Sequence, residues 1–401
     1  MIRRSVINRG GVAVSLSLLL SPAHPALAQA VWQNAPGTRA DTRGANGWVA
    51  TIPFAEDGDP LVFVAVRVNG AEAGWWSLDS GASVCLIDRT LARRLRLATR
   101  GSRQIHGTGS GTVGIDSVRG PAGLTLRGGA DATCNQLAAA DLSGLTATTG
   151  RPVAGILGYD FFARYVVQID YAAHAFRLYQ PGVYRYAGRG DTLPIALERR
   201  QPRVTVRIDD GGRPAVQRTL IVDTGSGDAV DDSVVMHSTT LPRYEVRTTG
   251  LGTSYTAVVG TLEQVRLGRF TLTEVPSAAP GVGLIGNAVW SQFTCVFDYG
   301  HGRLLVEPNE RFGVIFDRGP RSGLSFYAPS YRAMPTVSDV IADSPAAAVG
   351  IRPGDVVYQL DGRPVGEFGY ERVTRLLNRR GNAYRLGLRR GGRSVQVVLH
   401  L

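Results

Sequence analysis

Trp75-Trp76-Ser77-Leu78-Asp79-Ser80-Gly81-Ala82 and Thr219-Leu220-Ile221-Val222-Asp223-Thr224-Gly225-Ser226 share one pattern. In each, a largely apolar run ends in an acid, a small hydroxyl and a glycine. Such a run reads as a strand that passes into a turn. A single acid–hydroxyl–glycine triplet carries little weight, because it is also an ordinary Asx-type turn. Two copies with matched flanks carry much more.

The match extends downstream. Gly155-Ile156-Leu157-Gly158 follows the first triplet and Gly283-Leu284-Ile285-Gly286 the second. The aspartate-to-glycine spacing is 158 − 79 = 79 residues in the first half and 286 − 223 = 63 in the second. The first half therefore carries extra loop. Both halves close alike, on Val166-Val167-Gln168-Ile169-Asp170-Tyr171 and Thr294-Cys295-Val296-Phe297-Asp298-Tyr299. An internal repeat of this kind organises the fold. Between the markers lie short Val-, Leu- and Thr-rich runs broken by glycine, such as Leu61 to Val68 and Arg203 to Ile208. The region reads as mainly β, with short helices at Arg89 to Leu97 and Tyr159 to Arg164.

Paired carboxylates suit general acid–base chemistry. Two held about 3 Å apart cannot both ionise cheaply, so they share a proton and their pKa values split. The ionised partner then takes a proton from water, and the protonated partner donates to a carbonyl. Ser226 follows the second triplet where Ala82 follows the first. A hydroxyl beside Asp223 would favour its charged form, making Asp79 the protonated partner.

Composition narrows the choices. All 44 basic residues are arginine, which removes Walker, Schiff-base and Ser-Lys chemistry. Arg3, Arg4 and Arg9, the apolar stretch Gly11 to Leu20 and Ala26-Leu27-Ala28 read as a secretory signal over residues 1–28. Residues 29–46 read as a flexible lead-in. An exported, periplasmic or secreted protein is expected, with no transmembrane segment. Removing three arginines takes the formal charge from +11 to +8. The arginines are dispersed, so no nucleic-acid partner is expected. Cys85 and Cys295 lie in apolar runs that suit buried thiols, while a Cys85–Cys134 disulfide stays open. The histidines show no metal-ligand spacing, and neither metal nor cofactor is expected.

Past residue 312 the character changes. Ser344-Pro345-Ala346 leads to Gly350-Ile351-Arg352-Pro353-Gly354-Asp355, then a strand, a turn at Asp361-Gly362, a helix-like stretch from Tyr370 to Arg379 and a final strand. This is a compact α+β unit.

The two halves together resemble the pepsin and retropepsin superfamily of aspartic proteases, in particular exported bacterial retropepsin-like proteins. The resemblance implies two pseudo-symmetric β lobes, at 47–186 and 191–310. It makes Asp79 and Asp223 the catalytic pair acting on a polypeptide substrate. Ser80 and Thr224 become hydroxyls that bond across to the opposite loop, supported by Gly81, Gly225 and Ser226. Gly158 and Gly286 close the bracing segments, and no homodimer is needed. His106 to Gly111 and Thr249 to Thr253 fall where the family has flaps. The first of these lacks the flap tyrosine of pepsin-like enzymes.

Residues 312–401 resemble a bacterial PDZ domain, with Val349 where alanine is usual. That implies capture of an extended peptide or C-terminal tail. Gly323-Leu324-Ser325-Phe326 resembles the carboxylate loop, although an ordinary core strand would read the same way. Val373, Leu376 and Leu377 would line the groove. The alternative to an aspartic endopeptidase is a non-catalytic peptide-binding scaffold, against which the two intact aspartates argue.

Overall fold

The computed structural model describes residues 45–55, 61–106, 112–149, 151–238, 244–249, 254–313, 316, 322–327, 334–367, 373, 376–377 and 382–401. Among the described residues the chain is mainly β, in sheets of eight, thirteen and six strands. The signal, most of the lead-in, all but the first residue of each glycine-rich flap stretch and most of the helix-like stretch at 370–379 lie outside the described residues.

Alternation builds the strands. In Gln201–Asp209, Val204, Val206 and Ile208 are buried while Thr205 and Arg207 face out. Phe63–Val68 is covered on both faces, and its side chains are almost continuously apolar and buried. Helix Arg89–Arg94 starts where Asp88 accepts from the Thr90 and Leu91 amides. It stops short of Leu97 because Arg96 turns to φ 55°. The second expected helix spans Tyr159–Arg164.

All eight strands of the eight-stranded sheet come from the first half. Its closing strand leaves that sheet, and here the repeat takes on a further role. Val166–Asp170 pairs antiparallel with Phe293–Asp298, with Val167 opposite Phe297 and Ile169 opposite Cys295. The matched closing segments are thus partners in one ladder, with Ala175–Tyr179 and Arg303–Pro308 outside them. Asp191–Glu198 then carries the ladder into the second half. Phe162, Phe176, Phe297 and Trp290 fill the core against this shared sheet.

Cys85 and Cys134 are joined as a disulfide, and Cys295 is a buried free thiol. Of the readings the sequence left open for Cys85, the bond is the one realised. It closes a loop across a sequence separation of 49. Chain entropy assigns such a loop about 4 kcal/mol.

In the C-terminal unit, Ser344 caps helix Pro345–Ala348 by accepting from the Ala347 amide, with proline at the first turn. Gly354 takes φ 88°, which lets the chain turn into buried Asp355. Two Arg390 nitrogens and the Arg352 amide donate to that carboxylate at 2.7–2.9 Å. Burial pushes the Asp355 carboxyl up, but these bonds outweigh it and hold it below the usual range. The stability they add is present above about pH 4 and is lost as pH falls through the folded value. Asp355→Ala should cost this unit about 2 kcal/mol at neutral pH, read by denaturant unfolding, and progressively less as pH falls through the folded value.

The unit rests on the rest of the chain. Ile341 packs with Ala257, Tyr255 and Val259 of the hairpin strand Ser254–Leu267. Its edge strand Leu324–Tyr327 lies beside helix Ser143–Thr149 and strand Tyr244–Thr249.

Candidate active site

Each aspartate sits where a strand ends against a parallel neighbour. Trp76 to Leu78 pairs with Gly155 to Leu157, and Ile221-Val222 with Leu284-Ile285. The Asp79 amide donates to Leu157 O and the Asp223 amide to Ile285 O, both at 2.9 Å. The second signature therefore fixes the height of each turn. A Cβ on Gly158 would fall 2.6 Å from Ala82 O, and one on Gly286 would collide with Asp228 O. Only glycine lets these segments lie so close behind the turns.

Across the pair, the hydroxyls interlock. Ser80 Oγ donates to Val222 O at 2.6 Å and Thr224 Oγ1 to Leu78 O at 2.8 Å. Each hydroxyl also accepts from the other turn, from Ser80 N at 2.9 Å and Thr224 N at 3.1 Å. Four buried bonds between residues some 144 positions apart hold the two turns in register. Gly81 packs on the Asp223 carboxyl and Gly225 on that of Asp79, leaving no room for a Cβ at either.

The two carboxyl groups lie close enough to act on each other, and they are not equivalent. Burial raises Asp79 well above the carboxylate range, and the Asp223 charge and hydrogen bond add to that against the Ala82 and Gly81 amides. Burial also raises Asp223, but the Gly225 amide, the Asp79 hydrogen bond and the Ser226 amide oppose it. Asp79 is thus the proton-holding partner. The direction agrees with the sequence expectation, but its cause is different. The Ser226 hydroxyl turns away to Asp228, donating to Oδ2 at 3.2 Å and accepting from the Asp228 amide at 3.1 Å.

Behind the turns the halves diverge. Tyr171 Oη donates to Asn287 Oδ1, whose Nδ2 donates to Thr224 O, both at 2.5 Å. At the matched positions of the other half stand Tyr299 and Tyr159, whose rings stack at 6.0 Å. Sequence reasoning gave these four residues no role. The available signal was their fixed place, directly after Gly158 and Gly286 and after the closing aspartates.

Asp231 is a further residue that sequence reasoning passed over. It is buried, and among the described residues its Oδ1 has no hydrogen-bond partner. Burial, with the charges of Asp228 and Asp232, pushes its carboxyl up to about 7. The stability linked to its neutral form is complete below about pH 4 and is lost as pH rises through 7. Melting temperature should fall over that span by more in the wild type than in Asp231→Asn, measured by calorimetry.

The candidate PDZ residues are placed as follows. Gly323 turns at φ 75°, and the Leu324 amide donates to Ser322 Oγ at 3.2 Å. Ser325 and Phe326 are half-buried on the edge strand. Val373 and Leu377 are fully buried in this unit's core. Among the described residues, no three His, Cys, Asp or Glu side chains are grouped as a metal site requires.

Comparison with known proteins agrees with this architecture. Residues 64–161 match the aspartyl protease family, and residues 336–390 match the PDZ domain family. A Mesorhizobium japonicum protein named as a zinc metalloprotease is 44% identical over 69 residues, which is 17% of this chain and 18% of that protein. The chain thus spans less than a fifth of that relative's length. The first aspartate turn thus lies in a segment that matches aspartyl proteases of the retropepsin-like kind, and the capped C-terminal unit in one that matches PDZ domains.

Proposed function

We propose that the protein is an exported aspartic endopeptidase in which Asp79 and Asp223 activate water against a peptide bond. The observation that carries this reading is the reciprocal seating of the two turns, Gly81 on Asp223 and Gly225 on Asp79, locked by Ser80 and Thr224. Asp223, the ionised partner, takes a proton as the water oxygen adds to the carbonyl carbon. Asp79 gives its proton to the carbonyl oxygen. On collapse, the C–N bond breaks, the leaving nitrogen takes the proton from Asp223, and Asp79 recovers its own.

The PDZ domain recruits or orients an extended peptide or C-terminal tail. Support comes from its position, with its edge strand beside helix Ser143–Thr149 and the hairpin strand Tyr244–Thr249. Export into the periplasm is supported by the signal-like start and by the Cys85–Cys134 bond, a type of link that persists in oxidising compartments.

The test is digestion of a denatured protein mixture by the mature chain across roughly pH 4 to 8, the range a shared proton suggests. Pepstatin should inhibit it. Undiminished cleavage by Asp79→Asn and Asp223→Asn would end the assignment.

A further inference from the structure

Gln201 opens strand Gln201–Asp209, directly after a tight turn in which Arg199 and Arg200 take φ of 51° and 67°. That turn reaches from the second half onto the first. Arg200 lies over the Tyr159 ring, 5.2 Å from its centroid, with Nη1 3.7 Å from Asp160 Oδ1. Gln201 Nε2 donates to the Gly81 carbonyl at 2.6 Å. The Gly81 carbonyl belongs to the same peptide group as the Ala82 N–H, which donates to Asp79 Oδ1 at 2.9 Å. Gln201 amide, Gly81–Ala82 peptide and Asp79 carboxyl therefore form one hydrogen-bonded line.

We propose that Gln201 is a positioning residue for the reaction, acting on Asp79 from the opposite half of the molecule through the Gly81–Ala82 peptide. The proposal rests on the aspartic-dyad reading. Its first ground is geometric. A peptide that follows glycine has wide backbone freedom, and Gly81 cannot give up that freedom because Asp223 fills the space of a side chain. An external donor on its carbonyl supplies the restraint. The second ground is electronic. A donor on the carbonyl polarises the peptide and strengthens the N–H on its far side, by roughly 10–30% per bond in such chains.

The titratable groups that act on Asp79 are Asp223 from the facing turn and Tyr299 from the end of strand Phe293–Asp298, and the Gly81 amide acts beside that of Ala82. Tyr159, Asp160 and Arg200 stand one layer out. The Ala82 amide is the first of the groups that resist the upward push on Asp79. Weakening it should raise the second deprotonation of the pair, in which Asp79 gives up its proton.

The test uses the full-length protein with 13C-labelled aspartate carboxyls, titrated by NMR, with Asp79→Asn and Asp223→Asn to identify the pair. In Gln201→Leu the upper step should move up by roughly 0.4 pH unit. Gln201→Asn, one methylene short of Gly81, should move it the same way. Gln201→Lys, which restores a donor, should return it to the wild-type value or below, together with peptidase activity. An upper step unmoved in the Leu and Asn variants would overturn the proposal, even if their kcat fell. The carboxyl signals report on Asp79 whether or not peptide is cleaved. An inactive wild type would therefore sink the protease reading and still leave Gln201 decided.

Discussion

Asp79→Asn and Asp223→Asn are each expected to lower kcat for peptide cleavage by about 10⁴-fold or more, since each removes one end of a concerted proton transfer. The same changes should leave a folded protein, and Asp79→Asn should be the more stable above pH 5. The sign follows from the raised carboxyl. Asp79 ionises in the unfolded chain near pH 4, whereas burial and Asp223 resist its ionisation in the fold. The stability tied to the protonated group is whole below that value and is lost as pH rises through the folded one. Asparagine has no proton to lose. Calorimetry should find the two melting temperatures converging toward pH 4 and parting at neutral pH, with activity absent throughout.

Gly225→Ala is expected to cut kcat by roughly 100-fold, through displacement of the Asp79 carboxyl rather than through its chemistry. An added methyl would occupy the space of that carboxyl. Overpacking of this kind costs about 1–3 kcal/mol in a core. Gly81→Ala should do the same to Asp223. Gly366→Ala makes a control, because among the described residues a methyl there meets nothing within 4 Å. Wild-type turnover in Gly225→Ala would mean that the two turns do not meet as described.

The aspartate turns were legible because their chemistry is local, an acid, a hydroxyl and a glycine at the end of an apolar run. Strand type was legible for the same reason, since alternation in Gln201–Asp209 writes burial directly into the sequence. Contacts set by distant partners were not. Nothing local says that Val166–Asp170 will pair with Phe293–Asp298, or that Gln201 will reach Gly81 across 120 positions. Ser226 misled because a hydroxyl near an aspartate has several acceptors, and Asp228 was the nearer one. Asp231 escaped notice because no local pattern marks it, and only the sheet buries it.

The shared ladder of Val166–Asp170 and Phe293–Asp298 has a consequence for how the site can be lost. Both aspartates belong to one molecule whose halves are stitched by backbone bonds, so dilution cannot part them. Disassembly is a unimolecular event that must break the ladder. The site therefore lasts as long as a single molecule stays folded, even in a compartment where copies are sparse.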